Sequence, residues 1–179
     1  MLEFIDAKTF YTILHLIGVA FGAGGAYISG FIFLSSIKDN KLSGTEIRFL
    51  KLSSSMVWTG VFILVVSGIL IFYLDPEKYL ASSKFLAKMT IVGVVIFNGI
   101  LYHVHHIPVL IEKVGKKIHF EKYKSLFISG AVSFVSWTFA LVLGVLRGVP
   151  YNYLSIMAVY VLLLLISMAG ALAFRKKII

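Results

Sequence analysis

The sequence has no cysteine, only three prolines and few acidic residues. Among its 179 residues, Asp and Glu number 8 against 17 Lys and Arg, and charged residues make up 14%. The lack of cysteine excludes disulfides, iron–sulfur clusters and thiolate metal sites. A soluble domain carries about 25% charged residues. The low charge and the 59% of hydrophobic residues therefore predict an integral membrane protein.

Five continuous apolar runs predict an all-α bundle of five transmembrane helices that forms a single domain. Each run is long enough to cross a bilayer, which takes about 20 residues in a helix. Ser43 and Glu46 stand three residues apart before the second run, as in a capping box. We expect the helices to cover about 10–34, 44–74, 84–111, 126–146 and 153–174.

The basic residues fall on one side of these helices. Twelve Lys and Arg lie in the segments 37–55 and 112–125 and in the tail, whereas four lie on the other side. The excess of basic residues in cytoplasmic loops predicts that the N-terminus is outside and the C-terminus inside. We expect a multi-pass protein of the inner (cytoplasmic) membrane, in contact with lipid. The net charge of +9 is then explained by these basic segments, without a nucleic-acid partner.

His15 is an ionisable residue near the start of the first helix, on the same face as a series of small residues, Gly18, Gly22, Ala26 and Gly30. Small residues at this spacing allow close helix packing. They also leave a flat groove that suits a porphyrin, with His15 as the axial iron ligand. Three roles are open: a hydrogen-bonded histidine in a helix contact, a ligand of haem or another cofactor, and a proton relay.

Two basic residues lie at a similar predicted depth to His15. Lys88 is about one turn into the third helix, and Arg147 ends the fourth. Each side chain either extends to the membrane interface or pairs with a carboxylate of a cofactor, such as a haem propionate.

A second histidine cluster, at positions 103, 105 and 106, lies near the inner end of the third helix. His103 and His106 are three residues apart, so both imidazoles could reach one metal ion. The alternative is a polar, hydrated helix end. Polar residues deeper in the apolar runs are expected to hold the helices together; they are Asn98, Ser129, Ser133, Ser136, Trp137 and Thr138.

Three short motifs resemble a known superfamily. They are Leu14-His15-Leu16-Ile17-Gly18, Glu46-Ile47-Arg48 before a helix that contains Gly68-Ile69-Leu70, and Lys84-Phe85-Leu86-Ala87-Lys88-Met89. Over residues 10–109 the chain is similar to small membrane proteins that include the CopD-type copper-resistance domain and the HemJ-type haem-containing protoporphyrinogen oxidases. The resemblance implies a b-type haem site at His15 and Lys88. The chain departs from the oxidase branch in its fifth helix and in lacking a late Asn-Glu-Pro motif.

Three functions remain open from the sequence. The first is a b-type haem protein with a redox or electron-transfer role, related to protoporphyrinogen oxidation, in which Gly18 and Gly22 admit the tetrapyrrole and Lys88 or Arg147 neutralises its propionates. The second is transport of copper or another metal ion through His103 and its neighbours. The third is a non-catalytic subunit of a larger membrane complex or a homo-oligomer.

Overall fold

The computed structural model describes residues 6–39, 41–116, 123–146, 148 and 150–177. It confirms the all-helical class, because five of its helical stretches are long and apolar enough to cross a membrane. Many large apolar side chains on these helices are exposed, as expected where the surroundings are lipid. The protein is therefore a multi-pass membrane protein. Its helices are α1 (Ala7–Asp39), α2 (Gly44–Tyr73), α3 (Pro76–Leu80), α4 (Ser83–Leu101), α5 (Ile107–Glu112), α6 (Lys124–Val145) and α7 (Tyr153–Lys177).

Local sequence signals explain where several helices begin. The capping box predicted at the start of α2 is confirmed, with the Ser43 side chain bonded to the Glu46 N–H and the Glu46 carboxylate bonded back to the Ser43 backbone. Ser36 Oγ, near the end of α1, also donates to Glu46 Oε1 at 2.7 Å. Asp75 caps the short helix α3, which has a proline in its first turn. Glu46 thus joins the end of α1 to the start of α2.

The third membrane span has a π-helical turn at Tyr102–His106 between α4 and α5. The Ile107 N–H bonds to the Tyr102 carbonyl, five residues back, as a π turn requires. Pro108 follows immediately in the first turn of α5. A proline lacks an N–H and collides with the carbonyl four residues before it in an α-helix. A wider turn before Pro108 is consistent with this constraint.

The helices run alternately up and down. Helix α1 packs along α2, while α6 packs against α1, α4 and α7. We name the two ends of the bundle by the segments found there. The lysine-rich end contains the α1–α2 and α5–α6 connections and the end of α7; the opposite end contains the start of α1, helix α3 and the α6–α7 connection.

Hydrogen bonds between side chains join the helices inside the bundle. Asn98 and Ser129 make two bonds of 3.0 Å that connect α4 to α6. The interhelical role predicted for these residues and for Ser136 and Thr138 is confirmed, whereas Ser133 and Trp137 make no side-chain hydrogen bond within the described residues. The other pairs are Tyr27 with Thr138, Ser29 with Tyr102, Thr90 with Tyr153 and Ser136 with Tyr160.

Candidate functional site

His15 lies half-buried on α1 and is held by a serine of α2. Its Nδ1 is 3.0 Å from Ser67 Oγ. Ser67 Oγ also makes a 2.6 Å bond to the Ile63 carbonyl, which can only accept. The shorter bond to Ile63 favours the tautomer in which His15 Nδ1–H donates to the serine oxygen. In neutral His15 the lone pair is then on Nε2, the atom that is left for a metal or a proton.

Lys88 of α4 lies at a similar depth to His15 in the bundle. The pair is separated by 73 positions, as are Ser29 and Tyr102, which are hydrogen-bonded nearer the lysine-rich end. Helices α1 and α4 therefore run in the same direction, and residues of the two helices that are 73 positions apart lie at the same depth. Lys88 is half-buried, and within the described part of the chain its ammonium has no carboxylate partner.

Gly18 and Gly22 lie in close contacts between helices. A Cβ on Gly18 would lie 2.9 Å from the Leu64 nitrogen of α2. A Cβ on Gly22 would overlap the Trp137 ring, and one on Gly60 would overlap the Gly22 backbone. The structure therefore shows the packing role for both glycines, and a macrocycle has no open groove on them. A porphyrin bound over Gly18 and Gly22, as predicted, would require α1 to separate from α2 and α6.

Arg147, the other predicted partner of a propionate, lies outside the described residues. The residue before it is bonded to the third span, because Lys84 Nζ donates to the Leu146 carbonyl. Lys84 is only four positions from Lys88, so the end of α6 lies beside the start of α4.

The π turn separates the histidines that the sequence grouped together. His103 and His105 are exposed, whereas His106 is only 6% exposed. Neither ring nitrogen of His106 has a hydrogen-bond partner within the described ranges. The structure does not bring His103 and His106 to one shared surface. Among the described residues, no group of three or more His, Asp or Glu side chains is placed to hold a metal ion.

A cavity of about 480 Å³ lies in the half of the bundle nearer the lysine-rich end. Residues of α1, α2, α4, α6 and α7 line it, including Tyr27, Trp58, Asn98, Tyr102 and Trp137. Neither His15 nor Lys88 contributes to its wall. The sequence analysis did not predict this cavity, and it also missed Ser67. For the cavity, the only sequence signal is the presence of glycines in the inner halves of several spans. For Ser67, it is a serine in an otherwise apolar run.

Comparisons with protein-family models, curated proteins and solved structures give no match. The candidate site is therefore interpreted from its own geometry. It consists of an imidazole with one oriented nitrogen, a nearby ammonium without a described carboxylate partner, and a separate cavity toward the other end.

Proposed function

We propose that this multi-pass membrane protein holds a b-type haem at His15 and has a redox or electron-transfer role. The observation that supports the proposal is the bond from His15 Nδ1 to Ser67. Histidines that ligate metals generally donate their second ring N–H to a neighbouring group, which fixes the tautomer and the ring orientation. His15 has this arrangement, and its Nε2 is the nitrogen that would bind iron.

Lys88 provides the second argument for this site. A cation inside a membrane span is costly unless it is paired. Lys88 has no described carboxylate partner, and a haem carries two propionates that would supply one. His15 as an iron ligand and Lys88 as a partner of a propionate thus fit haem, whereas the packed glycines leave no space for its ring. The ring would have to lie beside His15 and away from the contact between Gly22 and Trp137.

The chain's own residues would have distinct tasks in this site. Ser67 orients the imidazole, His15 presents Nε2, and Lys88 balances negative charge inside the membrane. A bound haem would supply a one-electron redox centre, whose potential depends on the axial ligand, charge and burial.

The test is an optical spectrum of detergent-purified protein from cells supplied with haem precursor, first oxidised and then reduced with dithionite. We expect a Soret band in the wild type that is lost in His15→Ala. His105→Ala is the matched control, because His105 is exposed on the π turn, and it should keep the band. A folded, colourless wild type that copurifies with other chains would instead favour the role of a subunit in a larger complex.

We also propose that the N-terminus faces outward and the lysine-rich end faces the cytoplasm. Five spans place the described basic segments around residues 41–51, 113–116 and 175–177 at one end of the bundle. The absence of cysteine allows a direct test with single-cysteine variants. In intact cells, a membrane-impermeant maleimide should label Lys78→Cys but not Lys116→Cys. The reverse pattern would contradict the proposed orientation.

A further inference from the structure

Glycines line the cavity near the lysine-rich end, which is open to the surroundings where Gly130 and Gly170 are exposed. At Gly30 of α1, Gly130 of α6 and Gly170 of α7, an added Cβ would meet nothing within 4 Å. All three glycines line the cavity of about 480 Å³. Sites for small ligands have volumes of about 300–1,000 Å³, so the cavity is large enough to hold one.

The wall of the cavity is aromatic and uncharged. None of its lining residues is Asp, Glu, Lys, Arg or His. Trp58, Tyr102 and Trp137 supply aromatic rings and hydrogen-bond donors to this wall. A charged ligand would find no counter-charge here, whereas a flat neutral molecule would stack on these rings.

Several donors in this wall, including the Trp137 indole N–H, have no hydrogen-bond partner among the described residues. Trp137 is only 5% exposed, yet among the described residues nothing accepts a hydrogen bond from its indole N–H. The indole nitrogen is not one of the fully enclosed unpaired atoms of the described residues, so it keeps accessible surface, and an indole N–H can only donate. A ligand with an acceptor atom, such as a carbonyl oxygen, would accept a hydrogen bond from the Trp137 N–H.

We propose that this cavity binds a neutral, flat ring compound with carbonyl acceptors, which is the chemistry of a membrane quinone. Haem does not suit the cavity, because its propionates would lie against an uncharged wall. A lipid acyl chain would fill the space but would leave the Trp137 N–H without an acceptor. The proposal goes beyond the haem site and is independent of it, because it uses other residues in the other half of the bundle.

The chain provides its own reporter for a binding experiment. Trp58 and Trp137 are its only two tryptophans, and both line the cavity. Quinones quench tryptophan fluorescence on contact. The protein in phosphatidylcholine nanodiscs is titrated with decylubiquinone, and we expect quenching that saturates. A membrane-dissolved tryptophan octyl ester in empty nanodiscs gives the non-saturating quenching caused by partition alone.

Two glycine substitutions distinguish a cavity effect from a general one. Gly130→Leu places a side chain in the cavity. Gly93→Leu makes the same change on α4 at an exposed position outside the cavity wall, where an added Cβ also meets nothing within 4 Å. We expect Gly93→Leu to bind like the wild type and Gly130→Leu to need at least tenfold more quinone. Gly30→Leu serves as a second cavity-filling variant if Gly130→Leu does not fold.

The proposal is overturned if wild-type quenching rises without saturation, or if the cavity-filling variants bind as well as Gly93→Leu. A further experiment uses nanodiscs of phosphatidylcholine with brominated acyl chains. If bromine quenches the wild type far more than Gly130→Leu and the quinone gives no saturable effect, a lipid chain occupies the cavity and the proposal is wrong. Neither experiment depends on haem, so failure here leaves the His15 proposal to its own test.

Discussion

Three glycines of α1, two in one half of the bundle and one in the other, have opposite roles. Gly18 and Gly22 of α1 are covered by α2 and by Trp137 of α6, whereas Gly30, two to three turns further along α1, faces open space. Gly18 and Gly22 permit neighbouring helices to make contact, whereas Gly30 leaves the space of the cavity unfilled. Identical residues on one helix thus differ only in what the neighbouring helices bring to them.

The two halves also differ in charge. His15 and Lys88 lie near the opposite end, while the wall of the cavity toward the lysine-rich end has no Asp, Glu, Lys, Arg or His. Trp137 contributes to both regions, because one side of its ring covers Gly22 while the residue lines the cavity. A ligand with negative groups suits the first region, and a neutral ligand suits the second.

The strongest test of this comparison is a bulky residue at a packed glycine. We expect Gly22→Leu to lower the free energy of unfolding by about 3 kcal/mol, because the new side chain overlaps the Trp137 ring. Gly24→Leu is the matched control, since an added Cβ there meets nothing within 4 Å, and it should change stability by less than about 0.5 kcal/mol. Thermal unfolding in detergent measures both. Equal losses in the two variants would remove the distinction between packed and open glycines.

An effect of intermediate size is expected at Ser67. Ser67→Ala removes the acceptor of His15 Nδ1–H, so haem affinity should fall about tenfold. Ser53→Ala on the same helix is the control, because Ser53 is equally buried and its bond is to the Leu50 carbonyl only. Haem retention during dilution, followed at the Soret band, measures the difference. Equal retention in the two variants would mean that Ser67 does not orient the ligand.

The smallest effect concerns the polar contact beside the cavity. Ser129→Ala removes the donor to Asn98 Oδ1 and should cost about 1 kcal/mol of unfolding free energy. Ser133→Ala is the control, since Ser133 also lines the cavity and has no hydrogen bond within the described residues. Chemical unfolding in mixed micelles compares them. A larger loss in Ser133→Ala would show that the cavity wall, and not the bond, determines stability here.

The fold class follows from the sequence because the signals involved are local. Apolar runs of about 20 residues define membrane spans, and Ser43 with Glu46 defines a helix start. The helices of the structure nevertheless extend past the predicted ends, as at Ala7–Asp39 and Tyr153–Lys177, because polar residues of a helix can continue beyond the bilayer core. The short helix Pro76–Leu80 lay in a predicted connection.

The site was predicted only in part, since it depends on how helices meet. The position of His15 and Lys88 at one depth follows from counting residues along parallel helices. The role of Ser67 requires the contact between α1 and α2, and the cavity requires five spans at once. Three-residue spacing placed His103 and His106 on one face, but that rule assumes an α-helix, and the chain widens there into a π turn.

The wide turn at Tyr102–His106 also affects how this segment can change length. A π turn contains one more residue than the α-helical turn it replaces. Deleting one residue within it would leave α4 and α5 facing as they do now, whereas a deletion elsewhere in the span would rotate every later side chain by about 100°. Chains of this kind that are one residue shorter are therefore expected to lose that residue here.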